Sequence, residues 1–145
     1  MNGATVTHDD EDLLRRAIEL AGRARAAGNP PFGSLLAGPD GTVLAEDRNT
    51  TITDADITAH PELKLARWAA RELDPAAAAA ATMYTSCQPC AMCTGAIERS
   101  GLGRVVFALS NEQLAGLKPA GLPPVRQEGP ALFDEARVPV EGYYR

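Results

Sequence analysis

The 145-residue sequence lacks any long run of apolar residues. The charged stretch HDDEDLLRR at 8–16 interrupts the first thirty residues, so no leader-like apolar core is present there. No later segment approaches the roughly 20 apolar residues that a membrane-spanning helix requires. The sequence therefore predicts no contact with a membrane, and we expect a cytoplasmic protein.

An excess of positive charge is also missing. The chain has 14 Lys and Arg residues against 19 Asp and Glu residues, which gives a formal net charge of −5. A protein that binds phosphate backbones without sequence preference usually carries a broad basic surface. The charge therefore does not favour nucleic acid as a partner, and we expect a small-molecule substrate.

Cysteine is scarce and unevenly placed. The three cysteines, Cys87, Cys90 and Cys93, fall within seven residues. An odd number packed this tightly excludes a disulfide framework. The spacing is typical of metal ligands or of reactive thiols in a reducing compartment.

The remaining composition is that of an ordinary globular protein, with 45% hydrophobic and 23% charged residues. A chain of this length can bury one core without disulfide or metal cross-links. We find no internal repeat and no long linker. We therefore expect residues 1–145 to form a single domain.

The pattern of apolar residues predicts alternating helices and strands. Thr7 and Asp10 form a predicted capping box for a first helix. A hairpin is predicted next, because FGSLLA and TVLAE flank a turn rich in Gly and Pro. The later predicted elements are a helix over 61–73, a strand over 82–86, a helix from Pro89 and a buried strand over 104–109. Such alternation predicts an α/β fold with crossover connections and parallel strand pairing at the sheet centre.

Two of these helices begin with chemically reactive residues. Pro61 and Pro89 are each predicted at the first helical position, where a missing N–H costs nothing. His60 and Glu62 flank the first of these starts, and Cys90 and Cys93 lie in the first turn of the other. If the two helices follow neighbouring parallel strands, their N-termini open at the same edge of the sheet.

This arrangement suits a metal ion. The positive end of a helix favours thiolate over thiol, and one histidine with two thiolates leaves a fourth position of a tetrahedral zinc open, which is typical of catalytic sites. Spacing alone does not select the ligands, because Cys87 and Cys90 are also a CxxC pair. A redox pair and an unmetallated cluster remain alternatives.

The segments NPPFGSLLAGPDGTVLAEDRN, TAHPE, SCQPCAMCTGAI and RVVFAL resemble the cytidine deaminase superfamily. They are most similar to its nucleobase deaminase branch, which contains guanine deaminases and tRNA adenosine deaminases. The resemblance extends over roughly 32–109. It implies a three-layer α/β/α sandwich around a five-stranded mixed sheet, one bound Zn²⁺, and a homodimer.

The resemblance also implies roles for individual residues. His60, Cys90 and Cys93 would bind zinc, Cys87 would not, and Glu62 would transfer protons. Further residues are predicted near the substrate: Asn49 as a hydrogen-bond partner of the base, Phe32 beside the pocket, Pro61 in its wall, Glu112 at its mouth, and Tyr143 and Tyr144 as a possible cover.

Three positions depart from the family pattern. Pro61 stands between the histidine and the glutamate, where relatives have a small residue whose N–H donates to a carbonyl of the base, and proline has no such hydrogen. Gln88 and Arg99 replace residues familiar in guanine deaminases, which weakens the assignment of guanine itself.

The resemblance implies a zinc-dependent hydrolytic deaminase of a nucleobase-like ring, with guanine or an aminotriazine favoured. The alternatives are a tRNA adenosine deaminase, a cytosine or cytidine deaminase, and a non-catalytic binding module stabilised by zinc.

Overall fold

A four-stranded sheet forms the centre of the protein in a computed structural model that describes residues 5–144. The strands are β1 Gly33–Ala37, β2 Val43–Arg48, β3 Thr82–Cys87 and β4 Arg104–Leu109. The helices are α1 His8–Ala26, α2 Pro61–Glu72, α3 Pro75–Ala80, α4 Ala91–Ser100, α5 Asn111–Ala115 and α6 Phe133–Ala136. No helix in the described part of the chain is long and apolar enough to cross a membrane.

The strand order is β2-β1-β3-β4. β1 runs antiparallel to both of its neighbours, and β3 runs parallel to β4. The predicted mixed sheet is therefore confirmed, but its parallel pair lies at one side and not at the centre. The prediction of a fifth strand is wrong for residues 5–144. The chain after α5 contains Pro119, Pro123 and Pro124, and proline cannot donate the hydrogen bond that a strand ladder needs.

Helices cover both faces of the sheet, as the three-layer prediction requires. Successive side chains of a strand point to opposite faces, so adjacent leucines of β1 enter different cores. Leu35 packs with Leu14 of α1, while Leu36 packs with Leu65 of α2 and Ile97 of α4. Trp68 packs against the cluster that contains Leu36, Leu65 and Ile97.

Helix α1 lies directly on β1 because Gly33 has no side chain. A Cβ added at this position would lie 2.5 Å from the carbonyl oxygen of Ala17 and 2.5 Å from the amide nitrogen of Ala21. Any larger residue would push the helix away from the sheet. Gly33 thereby fixes the spacing of the two layers on this side.

Asp10 joins the start of α1 to two strands. The capping box with Thr7 is present as predicted. The carboxylate, which is only 5% exposed, also accepts hydrogen bonds from the Tyr84 hydroxyl at 2.6 Å and from the Arg104 guanidinium at 2.9 and 3.1 Å. The Arg104 guanidinium is the main reason that the pKa of Asp10 lies well below its usual range.

Replacing Asp10 should destabilise the fold in a pH-dependent way. We expect Asp10→Asn to lower the free energy of unfolding at neutral pH by about 1.5–3 kcal/mol, the usual contribution of a hydrogen bond to a charged group. Because folding lowers this pKa, the stabilisation is complete above the unfolded value of about 3.9 and is lost as the pH falls below it. Urea denaturation at pH 7 and pH 3 would measure the difference.

The control is Asp9→Asn, which removes an exposed carboxylate from the same helical turn. It should change stability little at either pH. Equal effects of the two substitutions would contradict the anchoring role of Asp10.

Candidate active site

The starts of α2 and α4 lie at the same edge of the sheet. α2 follows β2 and α4 follows β3, and both strands run antiparallel to β1 between them. β2 and β3 are therefore parallel to each other, and their C-terminal ends meet at one edge. The two helices also pack against each other. The predicted convergence is confirmed, although the two strands are not neighbours.

The two helix starts differ in one detail. Pro61 occupies the first turn of α2, as predicted, with His60 as the N-cap. Pro89 does not occupy the first helical position of α4, because Cys90 is the N-cap and Ala91 begins the helix. Cys90 and Cys93 still lie in one turn. The error in the start of the helix therefore does not separate the two thiols.

These residues form a cluster of possible metal ligands. One ligand atom from each of His60, Cys90 and Cys93 lies within 4.8 Å of the others. The Nδ1 atom of His60 lies 3.4 Å from Sγ of Cys93 and 3.8 Å from Sγ of Cys90. Typical Zn–N and Zn–S bonds in a tetrahedral site place nitrogen and sulfur about 3.5 Å apart. The donor types and their spacing fit zinc.

The cluster favours a thiolate. The pKa of Cys90 lies well below its ordinary value, mainly because of a hydrogen bond with Cys93 and secondly because of one with His60. The hydrogen bond with Cys90 and burial raise the pKa of Cys93. The hydrogen bond to Cys90 also raises the pKa of His60. A divalent cation among these groups would stabilise both thiolates. Cys87 differs, because burial raises its pKa and the metal cluster does not include it.

Glu62 brings a carboxyl group to the same place. It is only 6% exposed, and burial raises the pKa of this carboxyl. A buried carboxyl beside a metal cluster can hold a proton and release it, which general acid–base catalysis requires. The place of Glu62 beside the cluster and the raised pKa of its carboxyl group both suit it to proton transfer.

A small cavity of about 130 Å³ opens over the cluster. Its lining residues are Phe32, His60, Glu62, Cys87, Gln88, Cys90, Asn111, Leu114 and Lys118. A larger hollow of about 500 Å³ lies beside Asp10, but it contains neither the histidine nor the cysteines. Sites for drug-sized ligands usually measure about 300–1,000 Å³, so this cavity suits a single small ring.

The other predicted residues differ in their distance from this cavity. Phe32 lines it. Asn49 is not a lining residue, but its backbone N–H donates to the carbonyl of Phe32 at 2.9 Å. Pro61 is fully buried and does not line the cavity. Glu112 is exposed on α5 and is not a lining residue.

Tyr143 and Tyr144 are 77% and 81% exposed, and neither lines the cavity. Their rings contact each other edge to face, with centroids 4.9 Å apart.

The sequence did not identify Asn111, Leu114 or Lys118 as site residues. They come from α5 and the segment after it, which carry no recognisable motif. Asn111 is held near the cavity because its backbone N–H donates to Oε1 of Gln88 at 2.9 Å. Only tertiary structure brings this segment to the cluster.

Comparison with known proteins decides the family. The zinc-binding region of cytidine and deoxycytidylate deaminases matches residues 7–109. The chain belongs to this deaminase family. The resemblance seen in the sequence is thus confirmed, and so is a zinc-dependent hydrolytic deaminase as the class of enzyme.

Relatives in this family carry different names. A probable cytosine deaminase of Schizosaccharomyces pombe is 32% identical over 99% of this chain and 98% of its own length. A tRNA-specific adenosine deaminase of Haemophilus influenzae is 36% identical over 77% of this chain and 65% of its own.

The guanine deaminase of Bacillus subtilis is 41% identical over 72% of this chain and 67% of its own. The X-ray structure of a Bacillus subtilis guanine deaminase aligns with a TM-score of 0.73 and 32% identity, over 92% of this chain and 91% of that one. Membership of the family therefore establishes the chemistry of deamination and leaves the substrate ring open.

Proposed function

We propose that this deaminase removes, by hydrolysis, the amino group of a free nucleobase or a similar amino-substituted ring. Guanine or a guanine-like triazine is favoured. The observation that carries the proposal is that His60, Cys90 and Glu62 line one small cavity, and that a ligand atom of Cys93 lies within 4.8 Å of those of His60 and Cys90. Metal ligands and a proton carrier thus meet at a space that fits one ring.

His60, Cys90 and Cys93 would hold the zinc ion. When bound, zinc supplies Lewis-acid activation of water at neutral pH. The Glu62 carboxylate accepts a proton from the attacking water and gives it to the ring nitrogen beside the reacting carbon. The same carboxylate then takes the proton of the new hydroxyl group and passes it to the departing amine. The carbon gains an oxygen and loses its nitrogen, so water and the amino ring become ammonia and the oxo ring.

Asn49 is suited to hold the ring. Its Oδ1 accepts hydrogen bonds at 2.9 Å from both the backbone N–H and the hydroxyl of Thr51. Because a backbone N–H can only donate, this contact fixes the orientation of the amide. Asn49 is only 2% exposed, and its Nδ2 group donates no hydrogen bond to any of residues 5–144. We propose that it donates to an acceptor of the ring.

Guanine is favoured by the similarity to the guanine deaminase of Bacillus subtilis in both sequence and structure. Cytosine is the second candidate, because the Schizosaccharomyces pombe relative matches nearly the whole chain. A tRNA substrate is less favoured by the net charge of −5 and by the small cavity. Glu62 is in place, which argues against a non-catalytic module.

Two broader features belong to this proposal. We take the 145 residues as one deaminase domain that acts as a homodimer. Exposed apolar side chains beyond α5 support a second copy, since Leu122 is 96% exposed and Val125 is 86% exposed. Sedimentation analysis would test the dimer.

Ammonia release from a panel of rings would test the function. The panel contains guanine, cytosine, an aminotriazine, adenosine and a tRNA anticodon stem-loop, each offered to zinc-loaded protein. We expect the highest kcat/KM with guanine or the triazine. Preference for cytosine or for the stem-loop would replace the proposed substrate, and release from none of them would favour the binding module.

A further inference from the structure

Part of the cavity wall comes from α5 and the residues that follow it. Asn111, Leu114 and Lys118 line this side, with Gln88 beside them. The side-chain oxygen of Gln88, Oε1, already accepts a hydrogen bond from the backbone N–H of Asn111. The hydrogen-bonding groups left on this wall are therefore mainly donors. Among the described side chains that line it, only Lys118 carries a permanent positive charge.

The two lysines of the chain differ sharply in their surroundings. The Lys64 ammonium is held at 2.9 Å by the Asp47 carboxylate, the Arg48 carbonyl and the Thr50 hydroxyl. The Lys118 ammonium makes no hydrogen bond or ion pair with any residue of the described chain. It nevertheless lies close enough to His60 and Cys87 for its charge to act on both. Lys118 is thus a free cation at the mouth of the site.

We propose that Lys118 determines substrate specificity by binding an oxygen of the ring. This inference rests on the proposed function, and it names the class of substrate within it. An ammonium group can only donate hydrogen bonds, and it repels other cations. It therefore favours rings that carry a carbonyl or an anionic oxygen away from the reacting carbon. Rings that carry an amino group at the same place gain nothing from it.

Pro61 makes such a donor more important. Proline removes a backbone N–H from the first turn of α2, where the carboxyl of Glu62 enters the cavity. Side-chain donors then matter more to a bound ring, and Lys118 is the one with a formal positive charge among the residues that line the cavity. A ring acceptor left without a donor weakens binding. Loss of Lys118 should therefore weaken the binding of rings that carry an oxygen.

The test compares two purines that share the same reacting amino group. One is guanine, and the other is the diaminopurine that carries an amino group in place of the guanine carbonyl. We expect Lys118→Met to lower the ratio of kcat/KM for guanine over diaminopurine by roughly fivefold to tenfold, mainly through KM. Lys118→Arg should keep most of the preference. Products are identified by chromatography, and zinc content is measured for each variant.

Equilibrium binding provides a readout that does not require turnover. In the Glu62→Gln background, Lys118→Met should weaken guanine binding by a similar factor and leave diaminopurine binding nearly unchanged. The control is Arg126→Met, which removes an exposed charge that pairs only with Glu128 among the described residues. It gives the same net charge as Lys118→Met and should leave the ratio unchanged.

The outcomes separate this inference from the proposed function. An unchanged ratio in Lys118→Met, an equal loss for both rings, or the same shift in Arg126→Met would overturn the role of Lys118 while turnover by the wild type still supports the function. If the wild type binds guanine in preference to diaminopurine but converts neither, the proposed function is contradicted and the role of Lys118 in specificity stands. Binding of neither ring would overturn both.

Discussion

Glu62→Gln should abolish deamination while leaving zinc in place. The amide has nearly the shape of the carboxyl group, but it cannot accept a proton from water or pass it to the ring. General acid–base groups typically contribute about 100- to 10,000-fold to rate, and Glu62 serves at more than one step, so we expect a loss of kcat toward the upper end of that range. Ammonia release and metal analysis on the same preparation would measure both quantities.

Glu72→Gln is the matched control for this variant. Glu72 is the last residue of α2 and is exposed, so the substitution changes the same helix by the same chemistry far from its reactive start. It should retain activity and zinc. Near-normal turnover in Glu62→Gln with zinc bound would refute the assignment of Glu62 as the proton carrier.

Cys93→Ala should remove both zinc and activity. Cys93 is fully buried, its Sγ lies 3.4 Å from Nδ1 of His60, and the metal-ligand cluster within residues 5–144 contains no fourth residue. Loss even of a residue that only supports a ligand costs about 10- to 100-fold in metal affinity, and loss of a thiolate ligand should exceed this. Zinc titration against a chelator, with a denaturation curve for each variant, would measure the effect.

Cys87→Ala distinguishes the ligands from their neighbour. Cys87 also lines the cavity and forms a CxxC pair with Cys90, but the metal cluster excludes it. We expect zinc affinity to remain within a few-fold of the wild type. Strong loss of zinc in Cys87→Ala, with zinc retained in Cys93→Ala, would mean that the other CxxC pair binds the metal.

Local signals in the sequence predicted most of the elements correctly. The capping box of Thr7 and Asp10, the hairpin and the proline at the start of α2 are all present. Each depends on residues close together in the chain, so short-range rules apply. The start of α4 was less well predicted, because proline also fits just before an N-cap, and Cys90 takes that position.

Long-range features were harder to predict. The sheet has four strands in the described residues and not five, and β1 separates the two strands that lead into the site. Strand order depends on pairing between distant segments, which hydrophobic periodicity does not encode. The site edge was still predicted correctly, because β1 is antiparallel to both strands and leaves them parallel to each other.

The sequence by itself determined the chemistry of this protein. The HPE and PCxxC motifs specify a histidine, a carboxylate and thiols at two helix starts, and these residue types suit zinc and proton transfer whatever surrounds them. Tertiary structure alone decided which groups complete the cavity. Lys118 lies 25 residues beyond Cys93 in the chain, in a segment without periodicity, and it lines the cavity together with Asn111 and Leu114 of α5. Selectivity depends on such contacts between distant segments, which no local pattern specifies.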